Sequence, residues 1–324
     1  MVNNSPKVSV IILNWNGENK IRRTIPSLKN IDYANYEIIF VDNNSTDKSV
    51  KIAEELLSNI SAEYKVVENE SNEGYSRGKN IGADAATGEY LWLLDNDILV
   101  QRGVMTRMVE LLKSDEKTAA VSPVIKFIET DDQRFNGKYS IGQTYRYPFR
   151  QGYRLNDNLP MTSDILTTTL PGATLFIDRD VWNELGGYDE SCEMKLDQHD
   201  LSMRIWISGY VCKIATENFV RHLGAPGGNV TDYKWYTKNY VKSRLIMILK
   251  NYQPLNMAFA IPMILTWIPI LVSKWCINDN SIEPIRGATI ALTEIIEIAD
   301  SIVEERKIVQ ANRTKPDSSF MGPK

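Results

Sequence analysis

Histidine and cysteine are scarce in this chain of 324 residues, with two and three copies. Cys192, Cys212 and Cys276 are scattered and form no CxxC pair. That spacing supports neither a structural zinc site nor a disulfide framework, and it points to a reducing compartment. No GxGxxG follows the first apolar run; the turn there is Asn14-Trp15-Asn16-Gly17, which argues against a dinucleotide-binding dehydrogenase. GxxxxGK[ST] is missing too, which disfavours a P-loop kinase or ATPase. The opening MVNNSPKVSV has no charged stretch followed by a long apolar one, so no signal peptide is expected. Positive charge is not in excess: 37 Lys+Arg against 41 Asp+Glu leaves −4. A nucleic-acid partner is therefore not expected. A mean hydropathy of −0.29 rules out a polytopic transporter. Internal repeats and low-complexity tracts are absent.

What remains is ordinary for a globular chain, 43% apolar and 24% charged, with length for about two domain-equivalents. Residues 7–14 (KVSVIILN) form a β-branched run, a buried strand ended by the Asn-Trp-Asn-Gly turn. Residues 18–30 place Ile21, Ile25 and Leu28 at helical spacing. Strands follow at 36–41, 64–68 and 90–94, and helices at 48–60, 75–86 and 101–113. Strands separated by helices of this length predict a mainly parallel sheet covered on both faces.

From residue 119 the texture changes. A strand is expected over 119–127 and a long variable loop over 128–163. An apolar run follows at 170–177, then a short helix at 178–187, a helix at 197–209 and a terminal strand at 210–215. Residues 234–250 carry five Lys or Arg and no acid. Residues 255–273 (LNMAFAIPMILTWIPILVS) hold no charge, which is nearly the 20 residues that span a bilayer. Pro262 and Pro269 would kink such a helix, so an interfacial or re-entrant hairpin and a buried core helix stand beside the spanning reading. The basic flank fits an anionic cytoplasmic leaflet. An amphipathic helix is expected over 285–310 and a loose polar tail over 311–324.

Three groups of residues can carry chemistry. Asp95 and Asp97 follow an apolar strand, where ligands bind in open α/β sheets. Two carboxylates so close call for a cation, magnesium or manganese, which keeps phosphate oxygens as further ligands. The plain alternative is a strand-ending turn with solvated acids. Asp42 ends the second strand in VDNNSTD; it comes too early to cap the next helix and could accept from a nucleobase N–H. His199 and His222 are the only imidazoles; His222, after the terminal strand, is either structural or a metal or phosphate ligand.

In order along the chain, VSVIILNWNG, VDNNSTDKS, NEGYSRGKNIG, the DND of LLDNDILV, PGATLFIDRDVWNELGGYDE and LDQHDLSMRIWISGY resemble the inverting nucleotide-sugar glycosyltransferases of family 2. The resemblance runs from residue 8 to about 222 and is nearest in flavour to the rhamnosyltransferase-like subgroup, whose C-terminal extension is similarly basic and apolar. It implies a GT-A type α/β fold, with a catalytic domain over 1–230, a membrane-associated helical extension over 231–310 and a flexible tail over 311–324. It also implies roles. Asp42 would read the base, and Asn14 and Asn16 would border the nucleotide. Asn80 and Arg77 would line the donor pocket. Asp95 and Asp97 would form the DxD motif, Asp97 on the metal and Asp95 at the ribose or metal. Gly172 and Ala173 would shape the sugar and acceptor site, and His222 would complete the metal or diphosphate site.

One departure stands out. The family pattern places an acid, commonly the catalytic base, where this chain has Gln198 in Asp197-Gln198-His199-Asp200-Leu201. Asp197, then Asp200, is expected to take its place. The expected reaction is a metal-assisted single displacement from a UDP- or dTDP-sugar, with rhamnose among the candidate sugars. The expected acceptor is a glycan or polyprenyl-linked hydroxyl at the cytoplasmic face of the cell membrane. A homodimer is compatible with this reading. The competing readings are an inactive nucleotide-sugar-binding scaffold and a soluble nucleotidyltransferase. The latter would need a glycine-rich basic phosphate loop that the chain lacks.

Overall fold

The computed structural model describes residues 5–130, 136–146, 150–159, 164–192, 196–224 and 232–321. The first half alternates as its periodicity predicts: β1 (Val8–Asn14), α1 (Glu18–Ser27), β2 (Tyr36–Asp42), α2 (Ser49–Leu57), β3 (Glu63–Glu68), α3 (Tyr75–Asp84) and β4 (Tyr90–Asp95). These four strands are mutually parallel, in the order β3-β2-β1-β4. A two-residue β5 (Ile98–Leu99), α4 (Val104–Lys113) and β6 (Thr118–Ile128) follow.

Alternation along each strand makes two cores, one on each face of the sheet. Val10 and Ile12 of β1, with Phe40 and Trp92, meet Ile21 of α1, Ala53 of α2 and Met105 of α4. Ile11 and Leu13 face the other way, toward Ala83 of α3. Gly78 and Gly82 let α3 lie close on β1; a Cβ at Gly78 would stand 2.6 Å from a Leu13 methyl, and one at Gly82 would overlap Ile11.

The expected loop over 128–163 is corrected. It contains the antiparallel hairpin β7 (Tyr139–Arg146) and β8 (Arg150–Asn156), attached to β6. Its segments have little apolar alternation, so the stretch of β6 that β10 leaves open, at Ile125 and Lys126, decides their pairing rather than local pattern. Residues 131–135, 147–149 and 160–163 of that stretch lie outside the described residues. Next come β9 (Ile165–Thr167), β10 (Thr174–Asp178), α5 (Arg179–Leu185), α6 (Asp197–Ile207) and β11 (Val211–Leu223). β10 runs antiparallel between β4 and β6, so the sheet is mixed. Asp178 caps α5 by accepting from the Asp180 and Val181 amides. The terminal strand is longer than the expected 210–215. An irregularity between Ala215 and Phe219 lets β11 continue along β6, so His222 sits inside the strand.

The C-terminal part is helical: α7 (Tyr233–Asn251), α8 (Pro254–Asp279), α9 (Glu283–Glu297) and α10 (Ala299–Ala311). α8 is one helix through Pro262 and Pro269, not a hairpin. The expected helix over 285–310 is two, broken at Ile298, whose ψ of 14° departs from helical values. Leu245 and Ile248 of α7 and Ala260, Ile264, Ile268 and Val272 of α8 extend the Ile11 face of the core. The loose tail expected at 311–324 is corrected as far as residue 321. The Thr314 and Lys315 amides donate to Ile207 O, Asp317 accepts from Gln253 N and Asn256 Nδ2, and Phe320 is buried beside Tyr252. Its anchors all lie more than sixty residues upstream, which no local pattern encodes.

Candidate active site

The parallel strands β1, β2 and β4 end side by side: Asn14 is opposite Asp42, and Leu13 is opposite Asp95. Above these ends opens a cleft of about 360 Å³, lined by Trp15, Lys20, Tyr75, Asp95, Asp97 and Trp235, among others. It occupies the place where open α/β sheets bind ligands.

Asp95 and Asp97 flank the tight turn between β4 and β5, and β11 pairs with β5 so that His222 is opposite Ile98. One oxygen of each carboxylate and one ring nitrogen of His222 all lie within 4.8 Å of one another. His222 Nε2 is 3.7 Å from Asp97 Oδ1. Asp97 Oδ1 and His222 Nδ1 are buried and have no hydrogen-bond partner among the described residues. An orphaned carboxylate oxygen beside an imidazole and a second carboxylate fits a hard divalent cation. The three residues that sequence reasoning assigned to metal are thus brought together from two distant segments.

Both acids also have a lysine. Lys20 Nζ, on the first turn of α1, is 2.9 Å from Asp97 Oδ2. Lys79 Nζ is 3.2 Å from Asp95 Oδ1 and also donates to Leu94 O. Burial pulls the Lys79 ammonium below its ordinary pKa, and Asp95 opposes that pull. Tyr75 OH donates to Asp95 Oδ1 at 2.8 Å and is also 2.8 Å from Gly172 O. Burial and Asp95 hold the Tyr75 phenol well above its usual range, so it stays a donor. Ala173 O accepts from the Asp95 amide at 3.0 Å, so Gly172 and Ala173 do border the DxD turn. Tyr75 and Lys79 escaped the sequence reading, although their i,i+4 spacing in NEGYSRGKNIG puts them on one helix face.

Asp197 opens α6, is 1% exposed, and lies close enough to Asp95 and Lys79 to feel both charges. Neither of its oxygens has a well-formed hydrogen bond among the described residues. Burial pushes its carboxyl up to about 7; Asp95 pushes the same way, while the first amides of α6 and Lys79 pull it down. A carboxylate poised there suits general-base work near neutrality. Gln198 packs on Gly172, its Oε1 3.1 Å from where a Cβ would stand.

Other expected residues are placed differently. Asp200 is not brought to the cleft: it is fully buried, accepts from Arg204 Nε at 2.8 Å and Asn251 Nδ2 at 2.7 Å, and stands 3.3 Å from Lys250 Nζ. Its position three residues into α6 turns it toward α7. Arg77 pairs with Glu73 and Glu190, and Asn80 holds Tyr188 through its backbone N and O. Both project from the side of α3 opposite the cleft, because they are out of phase with Tyr75 and Lys79. Asp42 is a brace: Oδ1 accepts from Asn14 Nδ2 and Ser45 Oγ, and Oδ2 from the Ser45 amide at 2.7 Å. Ser45, three residues on, turns back onto it as in an Asx turn. Asn14 also accepts from Asn96 Nδ2, and Asn16 accepts from the Thr46 amide. None of these three lines the cleft: Asn14 and Asp42 are buried and Asn16 is exposed. Asn43, unremarked in the sequence, secures the cleft wall by bonding Asn72, Gly74 O and the Glu73 amide.

Comparison with known proteins agrees with this architecture. The model of the glycosyl transferase family 2 matches residues 9–170. Polypeptide N-acetylgalactosaminyltransferase 11 of Xenopus tropicalis is 28% identical over 249 residues, covering 70% of this chain and 41% of its own. The chain spans less than half the length of that relative. Among solved structures, GalNAc-T7 with UDP, GalNAc and Mn2+ superposes with a TM-score of 0.59 at 22% identity, over 74% of this chain and 48% of its own. A mannosyltransferase from Pyrobaculum calidifontis with GDP-Man and Mn2+ gives 0.57 at 16%, over 96% and 86%. These structural likenesses establish a GT-A type fold. With the matched segment covering half its length and both DxD acids inside it, this chain belongs to glycosyl transferase family 2.

Proposed function

We propose that this protein is an inverting glycosyltransferase that moves a sugar from a nucleoside-diphosphate donor to an acceptor hydroxyl. The observation that carries the reading is the convergence of Asp95, Asp97 and His222 at the cleft, with Asp197 near neutrality behind it. A bound Mn2+ or Mg2+, held by those three residues, would supply Lewis-acid neutralisation of the leaving diphosphate. Asp197 accepts the acceptor's proton as its oxygen attacks the anomeric carbon. The bond from that carbon to the diphosphate oxygen breaks, and its electron pair leaves with the diphosphate. A single displacement inverts the centre. Lys79 and Tyr75 hold Asp95 in place through the step.

The donor we favour is a UDP- or dTDP-sugar, rhamnose included; the UDP in GalNAc-T7 supports the first nucleotide. For the acceptor we favour a lipid-linked or cell-surface glycan. α8 supports it: its most apolar 18 residues have a mean hydropathy of 2.0, and only 17% of them are buried. Its buried stripe from Ala260 to Trp275 binds it lengthwise to the rest of the chain. We therefore place α8 flat in one leaflet, at the cytoplasmic face of the membrane, rather than across it.

Gln198 and the burial of Asp197 favour a second reading, a non-catalytic donor-binding scaffold. Thermal shift with UDP, dTDP and GDP, each with Mn2+ or EDTA, tests the first. We expect metal-dependent stabilisation by one nucleotide, lost in Asp97→Ala, and release of that nucleotide during sugar transfer or hydrolysis. Binding without turnover, unchanged in Asp197→Asn, would favour the scaffold. No binding by any nucleotide would overturn both.

A further inference from the structure

We propose that Lys20 is a catalytic residue that binds the departing diphosphate, and that Asp97 holds it in reserve until a divalent cation arrives. This rests on the donor-binding reading above and adds a residue to it.

The argument begins with charge. Asp95 and Asp97 are matched by Lys79 and Lys20, so the four side chains sum to zero. A diphosphate entering this cleft would find no net attraction from them. The two lysines differ in freedom. Lys79 has no exposure and is tied to both Asp95 Oδ1 and Leu94 O, so it is a fixed part of the floor. Lys20 has a side chain 51% exposed and, among the described residues, a single partner, Asp97 Oδ2, on a flexible four-carbon stem.

The two oxygens of Asp97 face different groups. Oδ2 meets Lys20, and Oδ1 meets the His222 side, where it is otherwise unpaired among the described residues. A divalent cation held by Asp95, Asp97 and His222 would offset the charge that holds Lys20. The ammonium is then free to turn into the cleft it already lines, where a diphosphate gives it charge-assisted hydrogen bonds. Metal and nucleotide therefore bind cooperatively, each weakly without the other. When the anomeric bond breaks, Lys20 meets the negative charge that the diphosphate gains.

The test uses the full chain and two ligands, Mn2+ and UDP. Binding of Mn2+ alone, followed by electron paramagnetic resonance, should tighten about twofold to fivefold in Lys20→Met, because a competing cation is gone. UDP binding at saturating Mn2+ should weaken about tenfold or more in the same variant. Lys20→Arg should restore most of the UDP affinity. A surface ion pair of no functional consequence would shift neither constant, and a structural defect would weaken both; either result overturns the proposal. Mn2+ binding to wild type that vanishes in Asp97→Ala upholds the donor site whatever Lys20→Met does. Loss of both Mn2+ and UDP binding in the folded wild type overturns the donor site and this proposal together.

Discussion

Lys79 and Asp95 form an ion pair beneath the cleft, 3.2 Å from Nζ to Oδ1, in which the lysine is shut off from solvent and the acid is not. Its cost is visible in the lowered lysine pKa. Removing one partner of such a pair is worse than never having it. Lys79→Met should therefore lower stability by about 2–4 kcal/mol in urea unfolding, since Leu94 O and Asp95 both lose a donor. A neutral result would mean the pair is not formed in solution.

Asp197 sets a pH dependence. Its carboxyl titrates near 7 in the folded chain, by burial, against 3.8 as its ordinary value. On the base role proposed for Asp197, the charged form dominates only above about pH 7, so kcat/KM should rise through that region and level off. Asp197→Asn should cut turnover by about 10²–10⁴-fold. Stability moves the other way. Between pH 4 and 7 the folded state holds a proton that the unfolded state has lost, so stability falls as pH rises, by at most about 4 kcal/mol. Asp197→Asn should flatten that decline in thermal melts at pH 5 and 8.

Lys250 ties the C-terminal helices to α6. Its ammonium contacts Asp189, Asp200 and Glu305. Burial alone would lower its pKa, but Asp200 and Asp189 hold it above the ordinary value. Asp189 is correspondingly depressed to about 2: burial opposes this, and the Lys250 charge and hydrogen bond outweigh it. A depressed acid stabilises the fold above its unfolded pKa, and that stability is lost as pH falls from about 4 toward 2. Lys250→Met should cost about 3–5 kcal/mol at pH 7 and less at pH 3, below the ordinary pKa of 3.8 to which Asp189 would return.

α8 gives the membrane proposal its own check. Phe259 and Ile270 are 62% and 68% exposed, so an acid at either position leaves the fold intact. Phe259→Asp with Ile270→Asp should abolish co-sedimentation with phosphatidylcholine and phosphatidylglycerol vesicles while the melting temperature holds. Vesicle binding that survives both changes would remove α8 from the interface. An oligomer dispersed by the same changes in lipid-free buffer would assign the face to a second copy of the chain.

Much of the fold is legible in the amino-acid sequence. The runs KVSVIILN and YEIIFV announce parallel strands, since a strand covered on both faces must be apolar throughout. The pair Asp95 and Asp97 after such a run points to a cation site, with a strand-ending turn of solvated acids as the plain alternative. The charge-free length of α8 is a matter of composition alone. Tertiary structure decided the rest. His222 reaches Asp97 only because β11 continues past an irregularity to pair with β5, more than a hundred residues upstream. Asp197 and Asp200 are three residues apart on one helix and read alike; packing turned one toward the cleft wall and gave the other to Arg204, Asn251 and Lys250. Asp42 became a brace once Ser45 folded back on it. Local chemistry determined which strands and helices could form, while the partner of each buried charge depended on which distant segments the sheet brought together, and a linear pattern carries no record of that.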